Sequence, residues 1–136
     1  MDNQPTNIRF IQPSTLPPTP GYTHVVEVKR GRTIFISGQI ALNPSGEIIG
    51  LNDFHAQAQQ VFENLKAALA AVEADFTSVV KLNMYVVDMS QILTLREVRD
   101  RYINTQNPPA MTLVEVRRLA REEFLLEIEA IAHLPE

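Results

Sequence analysis

The sequence predicts an α+β fold in which a mixed sheet carries two helices on one face, and three stretches predict it. Pro109 to Ala132 holds two strict alternations back to back, the period of paired strands with one dry and one polar face. Between Phe54 and Val72 the apolar residues step by three and four, the period of a helix with one buried stripe. Thr77 to Val87 is a nearly continuous apolar run, as expected of a central strand covered on both faces.

Each element follows in chain order. Met1 to Gly21 contain five of the nine prolines, so this stretch reads as an irregular arm with a short edge strand around Arg9 to Gln12. His24 to Lys29 and Thr33 to Ile40 are β-rich runs separated by Arg30-Gly31-Arg32, which predicts a hairpin. Gly38 lies inside the second run, where glycine marks a bulge, a kink or the close approach of another group. A helix starts at a cap from Asn52 or Asp53 and buries Phe54, Ala58, Phe62, Leu65, Leu69 and Val72. Gln57, Gln59, Gln60, Glu63 and Lys66 form its wet face, and His55 is a surface residue.

After the central strand, Ser90 is expected to cap a second helix whose stripe is Leu95, Val98 and Tyr102, and Asn107-Pro108-Pro109 is expected to stop it. The last two strands follow. On the first, Thr112, Val114 and Val116 share one face while Met111, Leu113, Glu115 and Arg117 share the other. On the second, Leu126, Ile128, Ala130 and Ala132 form the core face. The order β-β-α-β-α-β-β leaves a sheet face carrying Glu115, Arg117, Glu127 and Glu129, which faces either water or other copies of the chain.

Composition narrows the function classes. With 136 residues, 45% of them hydrophobic, the expectation is one domain over 1–136, with 1–21 as its proline-rich arm. The chain has no cysteine, hence no disulfide framework, thiol nucleophile or thiolate metal site. No run of about 18 apolar residues and no basic leader is present, so a soluble, cytoplasmic protein is expected. A net charge of −4 and the lack of aromatics beside the basic groups at 29–32 and 117–121 argue against nucleic acid. His24, His55 and His133 have no ligand spacing, so no metal is expected, although His24 lies close enough to Tyr22 to share its surroundings.

The last two strands resemble the C-terminal signature of the RidA family, also called the YjgF family. The residues that carry the resemblance are Pro109-Ala110-Met111-Thr112, Val114-Glu115-Val116-Arg117-Arg118-Leu119 and Leu126-Glu127-Ile128-Glu129-Ala130-Ile131-Ala132, together with Ser37-Gly38-Gln39. The resemblance runs from about Thr19 to Ala132. It implies the chorismate-mutase-like YjgF fold, a homotrimer around a central β-barrel, small-molecule clefts between neighbouring subunits, and no cofactor. The deaminases of that family hydrolyse enamine and imine intermediates to a 2-oxo acid and ammonia, and an arginine grips the substrate carboxylate.

By the same resemblance Glu127 is the catalytic group that holds or activates water. Tyr22, Ser37, Gly38, Gln39, Met111 and Thr112 match the substrate-binding wall. Met111 stands where the deaminases carry arginine, and a thioether has no donor with which to hold a carboxylate. Arg117 lies about 20 Å further along the strand, at roughly 3.3 Å per residue, too far within one subunit. Arg96 is the better candidate for a replacement cation, because by the resemblance it falls close to a family position near the cleft. Tyr22 packing under the arm and Glu127 pairing with Arg117 or Lys29 are the structural alternatives. Two functional classes follow: a RidA-like deaminase or another small-molecule hydrolase, including one with a different, less acidic substrate, and a non-catalytic or differently acting homologue that binds a less acidic or more apolar metabolite. For the deaminase reaction itself Met111 favours the second. Ribonuclease activity ranks behind both.

Overall fold

A computed structural model describes residues 7–136 of the chain. The first six residues of the arm lie outside the described residues. The elements are β1 (Ile8–Ile11), β2 (Val25–Val28), β3 (Arg32–Gln39), α1 (Phe54–Ala70), β4 (Val79–Val86), α2 (Ile92–Asp100), β5 (Ala110–Glu115) and β6 (Leu126–Leu134). The main sheet has the order β3-β6-β4-β5, antiparallel except for the parallel β4–β5 pair. Both helices cover one face of this mixed sheet.

The core lies between that face and the helices. Leu82, Met84 and Val86 of β4 and Leu126, Ile128, Ala130 and Ala132 of β6 point into it, as period-two alternation requires. From α1 come Ala58, Val61, Phe62, Leu65 and Leu69, all fully buried. Phe62 stacks on Tyr102 with ring centroids 5.2 Å apart, which joins α1 to the chain just after α2. Asp53 caps α1, its side chain accepting from Ala56 N at 3.1 Å. Among the described residues no helix is long and apolar enough to cross a membrane.

Several sequence expectations are corrected. The runs around residues 24–29 and 33–40 do not form a hairpin: β2 pairs with β1 in a separate two-stranded sheet, and β3 pairs with β6. The hairpin signal is local and names no partner, and the apolar patch Ile8-Phe10-Ile11 competes for β2. Gln57 is not on a wet face but fully buried. It donates to Gly50 O at 3.0 Å and Glu123 O at 2.9 Å and accepts from Leu125 N at 2.9 Å, so it serves backbone groups that no strand or helix satisfies.

Asp88 rather than Ser90 opens the second helical segment, accepting from Ser90 N at 2.9 Å into a single 3₁₀ turn. These hydrogen bonds from Ser90 hold the Asp88 carboxyl below its ordinary range. The helix ends at Asp100, well before the prolines; Tyr102 N and Ile103 N still donate back to Arg99 O, and Asn104 Oδ1 then accepts from Gln106 N at 3.1 Å in a turn.

The face assignment of β5 is reversed. Its parallel register sets Met111 beside Leu82 and Leu113 beside Met84, so Met111 and Leu113 pack toward the helices and Thr112 and Val114 look outward. Glu115 also turns to the helix side, where it accepts from Met89 N at 2.9 Å. The central strand β4 is covered on one face within the chain; Lys81, Asn83 and Tyr85 on its other face are half-buried.

Candidate functional site

Two groups of predicted residues come together, on opposite sides of the main sheet. The first lines a cavity of about 250 Å³ between α2, the β4–β5 pair and the arm. Strand alternation supplies Met84, Met111 and Leu113 as its floor. Helix α2 supplies Leu95, Arg96 and Arg99, which lie on one helix face at spacings of one, three and four residues. Pro20 and Tyr22 of the arm close the roof. Tyr22, Arg96 and Met111 therefore share one cavity.

Arg99 was not singled out by the sequence, and it is the most buried cation of the cavity, its side chain only 6% exposed. Its Nε donates to Asp100 Oδ1 at 2.8 Å and its Nη1 to the Met111 sulfur at 3.6 Å. The available signal was its spacing of four from Leu95, which sets it beside the buried stripe. A reading that assigns every charge to the wet face passes over it.

The second group lies on the face away from the helices. A register shift in β3 between Ile36 and Gln39 forms a bulge against β6, and Gly38 sits in it. A Cβ at Gly38 would lie 2.1 Å from Glu127 Oε2 and 2.7 Å from its Cδ, so the group that approaches this glycine is the Glu127 carboxylate. Ser37 is exposed beside it, and Gln39 Nε2 donates to Ser37 O at 3.0 Å, fixing the bulge. Glu127 forms no ion pair among the described residues, with Arg117 and Lys29 or otherwise.

Neighbouring Glu129 accepts from Tyr85 OH at 2.9 Å and Asn83 Nδ2 at 3.1 Å. That hydrogen bond first, then desolvation and the charges of Glu129 and Glu127, raises the Tyr85 hydroxyl above its usual range. Thr112 also belongs to this face and accepts from Lys81 Nζ at 2.8 Å, away from its chain neighbour Met111. His24 packs edge-on to Tyr22 with centroids 5.7 Å apart, and its Nε2 meets Pro17 O at 2.7 Å; it does not line the cavity. No group of three His, Asp or Glu side chains able to hold a metal occurs among the described residues.

A four-stranded mixed sheet with both helices on one face, an apolar cavity holding cations on that side and a carboxylate in a β3 bulge on the other, defines the class of fold and site. The family profile described as Endoribonuclease L-PSP matches residues 13–134, and the chain belongs to this family, the RidA/YjgF family. It is 41% identical over 111 residues to Protein DfrA of Myxococcus xanthus, covering 82% of this chain and 83% of the relative. The 2-iminobutanoate/2-iminopropanoate deaminase of Escherichia coli K12 is 36% identical over 112 residues, 80% of this chain and 85% of that protein. The crystal structure of YyfB from Yersinia pestis, of the conserved Rid protein family, superposes with a TM-score of 0.86 at 38% identity, over 95% of this chain and 100% of that one.

Proposed function

We propose that this protein takes up a small organic acid, an imine or enamine of a 2-oxo acid, and hydrolyses it to the 2-oxo acid and ammonia. The observation that carries the proposal is the composition of the cavity: walls of Met84, Leu95, Met111 and Leu113, with the guanidinium groups of Arg96 and Arg99 among them. A desolvated cation in apolar surroundings favours an anionic ligand, and the remaining wall accepts an apolar body. Relatives whose names specify 2-iminobutanoate and 2-iminopropanoate, both carboxylates, support the same chemistry.

In this reading water adds to the imine carbon, the C–N bond breaks, and ammonia leaves as the carbonyl forms. Glu127 holds that water. Since Glu127 and the cavity lie on opposite sides of the sheet, a complete cleft needs the cavity of one copy and the Glu127 face of the next, in a cytoplasmic, cofactor-free homotrimer. A second reading, a non-catalytic metabolite-binding protein, is favoured by Met111, whose thioether cannot hold a carboxylate. Ribonuclease activity, which the family description names, fits poorly with a net charge of −4.

The test is release of 2-oxo acid from 2-aminoacrylate or 2-iminobutanoate generated in place by a dehydratase acting on serine or threonine. Acceleration over the buffer rate that disappears in Glu127→Gln supports the hydrolase. No acceleration, with binding of an uncharged analogue such as the methyl ester of the 2-oxo acid in preference to the acid itself, supports the second reading.

A further inference from the structure

We infer that Arg99 of α2 is the carboxylate-holding residue of this cavity and that Met111 is its neutral neighbour; the inference rests on the proposed function and assigns the binding group within it. The ligand class is a small 2-oxo or 2-imino monocarboxylate with an apolar remainder.

The geometry supports Arg99 in three ways. Its side chain is 6% exposed, while its ion-pair partner Asp100 is 47% exposed and engages only Nε. That leaves the edge formed by Nη1 and Nη2 for a two-pronged carboxylate contact. Nη1 meets only the Met111 sulfur, a weak acceptor, at 3.6 Å. Among the described residues no buried side-chain nitrogen lacks a partner, so Nη2, which forms no hydrogen bond there, is an atom open to the cavity rather than sealed in the core. A surface ion pair needs no such burial, whereas an anion site does.

Met111 fits this assignment. The Met111 sulfur stands 3.6 Å from Nη1, so an arginine at that position would start from the same wall, and like charges brought close in apolar surroundings repel. The chain carries this cation on the helix, at 99, and a neutral thioether beside it at 111. The arm is shaped to match: Gly21 has φ +90°, and a Cβ there would stand 2.6 Å from Arg99 Nη2. Met84, Leu95 and Leu113 remain for the apolar part of the ligand.

Calorimetric titration with 2-oxobutanoate and with its methyl ester separates the outcomes. The wild-type protein should bind the acid more than about tenfold more tightly than the ester, the scale set by removing one partner of a buried charge pair. Arg99→Met should erase that preference and Arg99→Lys should keep part of it. The double variant Arg99→Met with Met111→Arg, which moves the cation to β5, should restore it. An unchanged preference in Arg99→Met, or its loss in Arg96→Ala alone, overturns the assignment while leaving the functional reading intact. A wild-type protein that binds neither compound overturns both.

Discussion

Replacing Gln57 with leucine conserves most of the side-chain volume and removes three hydrogen bonds from a fully buried site. The Leu125 N–H is left without its acceptor, and the Gly50 and Glu123 carbonyls each lose a donor. An unmet buried group costs about 1–3 kcal/mol, and the carbonyls retain a second lone pair, so the N–H dominates. Leucine's recovered transfer energy offsets the smaller carbonyl losses, which sets the net loss at about 1–3 kcal/mol. The segment released leads directly into Leu126 and Glu127, so the damage also reaches the candidate site. Urea unfolding followed by far-UV circular dichroism at fixed protomer concentration reads this as a lower midpoint at constant slope. A change below about 0.5 kcal/mol, the ordinary range for surface substitutions, would refute the account of Gln57 as a backbone bridge.

Three further outcomes are expected. Gly38→Ala should displace the Glu127 carboxylate, whose Oε2 would lie 2.1 Å from the new Cβ, and lower turnover while the folded content by circular dichroism is retained. Burial first, then a hydrogen bond and the charge of Glu63, pushes the Tyr102 hydroxyl up to about 12. Because its folded value lies above the unfolded one, its stabilisation is complete below pH 10 and is lost as the pH rises through about 12. Tyr102→Phe should therefore flatten the alkaline fall in stability in that window. Phe35, 77% exposed on the face away from the helices, should be covered in the assembly, so Phe35→Asp should shift the solution mass toward monomer in light scattering.

The parts of the fold legible in the sequence were those written as periodicity. The core face of β6 and the α1 stripe follow from alternation and three-four spacing, because solvent and core impose those periods locally. The apolar run marked β4 as a central strand, but it is covered on one face only within the chain. Pairing was less legible: Arg30-Gly31-Arg32 resembles a hairpin turn, yet β2 is claimed by a strand in the proline-rich arm. The face of β5 was missed because Met111, Leu113 and Glu115 alternate as readily toward either side, and only the parallel register with β4 decides. The resemblance brought Tyr22, Arg96, Met111, Gly38 and Glu127 forward. Gln57 and Arg99 escaped because polar residues are assigned to water by default, and what buries them is distant in sequence: Glu123 and Leu125 for one, Gly21 and Met111 for the other.

The central claim is that the cavity holding Arg99 and the face holding Glu127 complete one site only when two copies meet. Subunit mixing tests it most directly. Glu127→Gln and Arg99→Met proteins should each be inactive alone on in-place 2-iminobutanoate. Co-refolded in equal amounts, they should regain about a quarter of wild-type turnover, since random assembly joins an intact Arg99 to an intact Glu127 in about one cleft in four. Mixed assemblies that form but recover no activity would contradict a shared cleft.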